Sequence, residues 1–402
     1  MLRFTTAGES HGSALVSILE GMPAGLPILA AQVDAQLARR QAGYGRGRRM
    51  QIESDSIELL SGVRAGQTIG SPIAMLIRNH DWRNWQEIMS TGLLDGESAD
   101  PGGAERKRAV TRPRPGHADL AGMLKYNRTD ARDILERASA RETTARVAAG
   151  AVCRTLLAML GITIGSHVVE LGDVVAQAPD PLPADLNDAA DRSPVRTLDS
   201  DAEARMIALI DDAKRSGDTL GGICEVVVTG LPVGLGSHVS WDRKLDGRLA
   251  AALMSIPAVK GVEIGMGFQA ARLHGSHVHD EIDPAEADVT RGRLRRRTNN
   301  AGGLEGGITT GEPLVVRVAM KPISTLMRPL ASVEMTTRES ASSTVERSDV
   351  TAVPAMGVIA EAMTAFVLAD AALEKFGGDS LGELLRNRDG YVRYLAERDT
   401  DR

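Results

Sequence analysis

Apolar residues recur along this chain with two different periods. Short runs rich in branched side chains at 14–19, 57–61, 73–77, 162–171, 223–228 and 314–320 predict β-strands. Longer stretches with apolar positions three and four residues apart predict helices at 33–40, 140–160, 201–215, 243–254 and 354–375, the last closed by Gly377-Gly378. The alanine-rich stretch 144–158 is apolar on more than one face, which predicts a helix buried between layers. Strands and helices do not alternate in regular βαβ units, so the expected fold class is α+β, helices packed with antiparallel sheets, rather than a doubly wound sheet.

The pattern also repeats. The run 15–20 enters Gly21-Met22-Pro23-Ala24-Gly25-Leu26 and then a helical stretch; the run 223–228 enters Gly230-Leu231-Pro232-Val233-Gly234-Leu235 and then another. Gly70-Ser71-Pro72-Ile73 and Gly311-Glu312-Pro313-Leu314 each open an apolar run, and His117-Ala118-Asp119 is echoed by Arg347-Ser348-Asp349. The shared order predicts one domain, 1–402, with internal pseudo-two-fold symmetry between halves near 1–170 and 220–380. Two segments read as surface. The stretch 178–200, rich in Pro, Asp and Ala, predicts a long exposed connection. The stretch 275–300 carries Arg291, Arg293, Arg295, Arg296 and Arg297 and reads as a solvated loop or as a lid over an anionic site.

Composition narrows the function. A net charge of −6 and 3% aromatic residues disfavour a nucleic-acid binder and leave few stacking platforms. No uninterrupted apolar run approaches the roughly 20 residues of a membrane span. The N-terminal residues do not form a secretory signal. Cys153 and Cys224 stand alone, without metal-ligand spacing. A cytoplasmic protein without membrane or nucleic-acid partners is expected.

Against this acidic background, arginines gather beside two glycine-framed histidines: His11 in Gly8-Glu9-Ser10-His11-Gly12 and His117 in Arg114-Pro115-Gly116-His117-Ala118-Asp119. A third basic motif is Gly43-Tyr44-Gly45-Arg46-Gly47-Arg48-Arg49. Histidine titrates near neutrality and guanidinium forks suit phosphate and carboxylate, so the combination predicts a small polyanionic substrate that needs protons moved. Gly8–Gly12 also fits the G-x-S-x-G nucleophile elbow, but a β-like run follows it where an elbow requires a helix.

These motifs, followed by Ser139-Ala140-Arg141-Glu142-Thr143, Lys260-Gly261-Val262-Glu263-Ile264-Gly265, Gly302-Gly303-Leu304-Glu305-Gly306-Gly307, Lys321-Pro322-Ile323-Ser324-Thr325 and Arg347-Ser348-Asp349, resemble in order the signatures of chorismate synthases, from about residue 1 to 385. The resemblance implies a sandwich of helices between antiparallel sheets and a homotetramer. The reaction implied is 1,4-anti elimination of phosphate from 5-enolpyruvylshikimate 3-phosphate, giving chorismate and requiring reduced FMN. It also implies residue roles. Arg40, Arg46, Arg49, Arg114, Arg141 and Arg347, with Ser10 and Ser139, would face the substrate. His117 would protonate the departing phosphate, His11 would supply a proton toward flavin N1, and Asp349, near N5, would accept or relay the C6 proton. Arg137, Ala138, Ser139, Pro257, Ala258, Gly302, Gly303, Lys321, Pro322, Ile323, Ser324, Thr325 and Arg347 would line the flavin pocket. Arg40 and Arg46 also match positions that bind NADP in members using NADPH to reduce their own flavin. The chain departs from the pattern at Pro257, Met266 and Ala138, which puts individual flavin contacts in question. A catalytically silent flavin- or anion-binding paralogue is the alternative reading. On the elimination reading, a fluorophosphonate probe leaves Ser10 unlabelled; covalent modification detected by mass spectrometry would restore the hydrolase.

Overall fold

Alternating burial in the predicted runs gives two all-antiparallel sheets in the computed structural model, which describes residues 2–47, 54–92, 109–346 and 348–397. The first sheet has the order Arg3–Ala7, Ala14–Glu20, Ile73–Arg78, Ile57–Leu59. The second has the order Val259–Ile264, Leu314–Met320, Gly222–Thr229, Thr163–Leu171, Val174–Val175. In Ala14–Glu20, Leu15 and Leu19 turn inward and are buried; in Gly222–Thr229, Cys224, Val226 and Val228 do so. The period-two burial of Ala14–Glu20 is what a sheet packed on one face requires, whereas the central strand Gly222–Thr229 is buried throughout from Cys224 to Val228.

Helix Thr143–Met159 packs against the first sheet, helix Val353–Phe376 against the second, and the two helices pack against each other. Their approach is close because the contact residues are small. A Cβ built on Gly150 would stand 2.4 Å from Ala362 Cβ. Helix Val353–Phe376 is long and apolar enough to cross a membrane by length and composition, which the run-length criterion passed over because Glu361 and Asp370 interrupt it. In its most apolar window 83% is buried inside the protein, so it is the core element. Both cysteines are buried, and burial pushes their thiols upward, Cys224 to about 12.

One carboxylate ties these layers. Glu361, 1% exposed, accepts hydrogen bonds from Arg39 at 2.8 and 3.1 Å, Arg154 at 2.7 Å, Arg196 at 3.2 Å and Ser166 Oγ at 2.6 Å. Arg39 comes from helix Ala30–Gln41, Arg154 from Thr143–Met159 and Ser166 from the second sheet. Burial alone would raise this carboxyl, but the surrounding guanidiniums hold it at about 2.

One expectation about a loop needs correction, and another is narrowed to one of its two readings. The 178–200 stretch is not simply exposed: it contains helix Leu186–Asp191, and Ser193, Val195, Arg196 and Thr197 are buried because Arg196 reaches Glu361. The 275–300 stretch folds into a hairpin, Ile282–Pro284 against Leu294–Arg296, whose arginines are largely neutralised. Arg297 pairs with Glu281 and Asp283, Arg296 with Glu305, Arg293 with Glu286, and Arg291 with Asp288 and Glu312. Those guanidiniums are occupied within the protein, which removes the basis for an arginine lid.

Replacing Glu361 with Gln removes the one carboxylate that Arg39, Arg154 and Arg196 share, leaving Asp191 to Arg39 and Arg196, and is expected to destabilise the fold by roughly 3–5 kcal/mol, measured by denaturant unfolding. Because the folded-state pKa is depressed, the carboxylate's contribution is full above its unfolded pKa near 4.5. It is lost as pH falls toward 2, so the Gln variant should lose Glu361's share of the acid dependence of stability in that window, while Asp119 and Glu136 keep theirs.

Candidate active site

The turn between the first two strands is fixed from outside by Glu136, on helix Arg132–Ala138. Ser10 N donates to Glu136 O at 2.9 Å and His11 N to Glu136 Oε2 at 2.8 Å, while His11 Nδ1 lies 2.9 Å from Oε1. Trp85 stacks on the imidazole with ring centroids 3.7 Å apart, and Arg132 donates to the same carboxylate at 2.9 Å. Burial pushes Glu136 upward, but its contacts with His11 and then Arg132 prevail and hold it below the usual carboxylate range. An ionised Glu136 accepts, so Nδ1 carries a proton and the ring orientation is set.

The second histidine is held in the same way by a carboxylate two residues on. Asp119, fully buried at the start of helix Asp119–Tyr126, accepts from His117 Nδ1 at 2.5 Å and from Arg114 Nε at 2.9 Å. Arg114 also donates from its backbone to Asp119 at 3.0 Å and from Nη1 to Thr325 Oγ1 at 2.8 Å. Burial opposes ionisation of Asp119, yet His117 and Arg114 depress it strongly. With Nδ1 committed to Asp119, Nε2 is the ring position left for another partner. Lys321 Nζ donates to Gly116 O and Ser324 Oγ, both at 2.8 Å, placing a cation beside the same turn.

A third cluster gathers Arg40, Arg46, Arg141, Asp55 and Asp349. Arg40 is buried and donates to Thr143 Oγ1 at 2.9 Å and Ala140 O at 2.8 Å. Desolvation, then Arg46, lower it to about 10, although Asp55 and Asp349 oppose the shift. Asp349 receives the Arg46 guanidinium at 3.1 Å and the Gly47 amide at 2.6 Å, and Val350 N donates to Gly45 O at 2.8 Å. The glycine-arginine loop is thus zipped onto the Ser348–Val350 segment. Arg40, Arg46, Asp349 and Pro257 together line a cavity of about 30 Å³. Arg49 and Arg347 lie outside the described residues.

Ser139 joins the first and third clusters: its hydroxyl donates to Ser10 Oγ at 3.1 Å and accepts from Arg141 N at 3.3 Å. Ala138 precedes it at the helix end. Arg137 is turned to the N-terminal strand, donating to Gly8 O at 3.0 Å and Thr6 O at 2.9 Å. Ala258 holds a left-handed φ of +67°, costly for a residue with a Cβ, and its carbonyl accepts from Lys321 N at 3.0 Å. Ile323 O accepts from Thr219, and Pro322 is exposed. Partial burial and Lys260 both push Lys321 downward, an unfavourable state that a bound anion relieves. These residues therefore fit a phosphate-bearing cofactor.

Gly302 and Gly303 sit elsewhere. A Cβ on Gly302 would meet Gly265 N at 2.4 Å, so its glycine is already required by packing beyond the end of strand Val259–Ile264. Pro257 and Ala258 precede that strand, placing the two sets about 20 Å apart along it. Met266 lines a different pocket with Ile264, His279, Asp280 and Asn300.

The antiparallel α+β architecture and the paired histidines among buried arginines define an enzyme that handles small anions. The family model for chorismate synthase matches residues 2–373. Chorismate synthases from Geobacter metallireducens and Symbiobacterium thermophilum are 57% and 58% identical, each aligned over at least 98% of both chains. A solved structure titled "Crystal Structure of Chorismate Synthase" superposes with a TM-score of 0.77 at 43% identity, covering 98% of both chains. The chain belongs to the chorismate synthase family. It is accordingly a lyase of the shikimate route to aromatic amino acids.

Reading the sequence for site residues passed over Glu136, Trp85 and Asp55, and gave Asp119 no role although it lies in the His117 motif. Glu136 had one visible signal, its position four residues after Arg132 on a short helix ending in the Arg137-Ala138-Ser139 motif. Asp119→Asn replaces the charged carboxylate that orients His117 and pairs with Arg114 by a neutral amide. It is expected to lower kcat on the order of 10²- to 10⁴-fold in steady-state assays; an unchanged kcat would deny the orienting role.

Proposed function

We propose that the chain converts 5-enolpyruvylshikimate 3-phosphate into chorismate by eliminating phosphate and the C6 proton, with reduced FMN as cofactor. The observation that carries this reading is the Arg114–His117–Asp119 constellation, in which a fully buried carboxylate aligns an imidazole beside a guanidinium. Arg40, Arg46, Arg114 and Arg141, with Arg49 and Arg347, bind the phosphate and carboxylates; Ser10 and Ser139 add hydrogen bonds. His117 gives its proton to the departing phosphate, Asp349 receives the C6 proton, and His11 holds a proton beside the cofactor site.

Arg137, Ala138, Ser139, Pro257, Ala258, the Lys321–Thr325 segment and Arg347 would hold the flavin. Gly302 and Gly303 would join them for a ligand extended along strand Val259–Ile264. When bound, reduced FMN supplies an electron-rich ring that stabilises charge developing in the elimination. Arg40 and Arg46 also suit NADPH as the flavin's reductant. We further read the protein as cytoplasmic and as a homotetramer; exposed Val239, Trp241 and Phe268 support association.

The duplicated-halves reading has support as well. Strands Ala14–Glu20 and Gly222–Thr229, whose sequences echo, pair respectively with Ile73–Arg78 and Leu314–Met320, which also echo. Helices Ala30–Gln41 and Leu245–Met254 follow at comparable places. A single layered domain, helices sandwiched between the two sheets, is the arrangement this favours.

Anaerobic turnover is the test. Chorismate should form with reduced FMN and not with oxidised FMN alone, and added NADPH should restore it only if flavin reduction is intrinsic. His117→Ala is expected to cut turnover on the order of 10²- to 10⁴-fold with flavin binding retained. Full activity in that variant would remove His117 from proton donation, and flavin binding without turnover in the unchanged protein would identify a silent paralogue.

A further inference from the structure

Asp55 has no place in the scheme above. Its side chain is completely buried, yet neither carboxylate oxygen has a hydrogen-bond partner among the described residues. What faces it is charge: Arg141 Nη2 stands 3.2 Å from Oδ1 and Arg40 Nη1 3.8 Å from Oδ2. A carboxylate buried for stability alone is normally saturated with donors. This one is not. Its backbone is tied by Asp55 N donating to Gln41 Oε1 at 3.1 Å, at the end of the helix that carries Arg40.

The two guanidiniums facing Asp55 belong to the cluster read above as the substrate's. Arg40 already spends donors on Thr143 and Ala140, so the carboxylate and an incoming anion draw on the same limited positive charge. Three neighbouring buried cations without a counter-ion would also repel one another, as the effect of Arg46 and Arg141 on Arg40 shows. We propose that Asp55 is an internal counter-anion of the substrate cluster. It steadies Arg40 and Arg141 while the site is empty and weakens the hold on bound anions, so that phosphate and the dianionic product leave. It is a positioning residue that acts through the arginines.

This inference rests on the cluster binding the substrate's anionic groups, and the experiment separates the two claims. The probe is inorganic phosphate, titrated calorimetrically into the full chain. At about 8 Å and an effective dielectric near 20, removing one negative charge corresponds to a roughly ten-fold or greater gain in affinity. Asp55→Asn should therefore bind phosphate at least about ten-fold tighter, with KM and kcat both lowered as release slows. Asp55→Glu, which keeps the charge, should remain near the unchanged protein. Asp55→Ser tests the same loss of charge should the Asn variant fold poorly. Equal or weaker phosphate binding in a folded Asn or Ser variant overturns the counter-anion. Arg46→Ala checks the underlying reading. If it leaves phosphate affinity untouched, the cluster is not the anion site; if it weakens binding while the Asp55 variants do not tighten it, the counter-anion inference alone falls.

Discussion

Glu361 is the constraint on which the architecture turns. A carboxylate in the middle of an otherwise apolar helix is unfavourable to bury by several kcal/mol unless every oxygen is paired. Here the pairing groups come from helix Ala30–Gln41, helix Thr143–Met159, the second sheet and the segment around Arg196. Satisfying one charge therefore fixes where those elements sit. Gly150 against Ala362 sets how closely the central helices approach; Glu361 helps set their register. Apolar packing is tolerant of small slips, whereas three guanidiniums converging on two oxygens are not.

That constraint reaches the chemistry through adjacent residues. Arg39 binds Glu361, and Arg40, next in the helix, points to the Ala140–Thr143 turn. The turn opens helix Thr143–Met159, which carries Arg154 back to Glu361. Ser139 stands just before it and touches Ser10, whose neighbour His11 is locked by Glu136. Both histidines thus follow one design, an imidazole whose Nδ1 is committed to a buried carboxylate. The carboxylates Glu136 and Asp119 remain ionised against the penalty of burial only because cationic groups converge on them.

Local pattern made most of the strands and long helices legible and singled out both histidines, because period and glycine framing are properties of neighbouring residues; it passed over strands Arg3–Ala7 and Val259–Ile264 and helix Leu381–Glu397. Asp119 stood in the same motif, two positions from His117, yet its role as the imidazole's partner emerged only from the fold. Glu136 was not legible, since its partner His11 lies 125 positions away and only the fold joins them. Glu361 stood in view as a charge in an apolar helix, but Arg39 and Arg196 could not be named without the layers. The 178–200 loop was misread for the same reason. Proline and aspartate marked 178–200 as surface, and Arg196 was drawn inward by a partner elsewhere in the chain. In 275–300 the arginines looked surplus until the hairpin register set Asp283 opposite Arg295 and brought Arg297 to Glu281. Charge counted along a sequence overstates charge available in space.

That distinction also separates the two classes of arginine in this protein. Those of the hairpin sit beside carboxylates in solvent, where pairing contributes little and releases nothing for a ligand. Arg40, Arg46, Arg114 and Arg141 are withdrawn from water and held by acids: Arg40 and Arg141 share Asp55, Arg46 pairs with Asp349, and Arg114 shares Asp119 with His117. Desolvation makes every charge there count for more. A site with too few acids would set its arginines against one another: Arg40 is lowered to about 10 by burial first, and Arg46 and Arg141 add to that while Asp55 and Asp349 oppose it. A site with too many would have no field left for a polyanion. Asp55, Asp349 and Asp119 set against Arg40, Arg46, Arg114 and Arg141 leave a small positive excess, the balance that the proposed anion site requires.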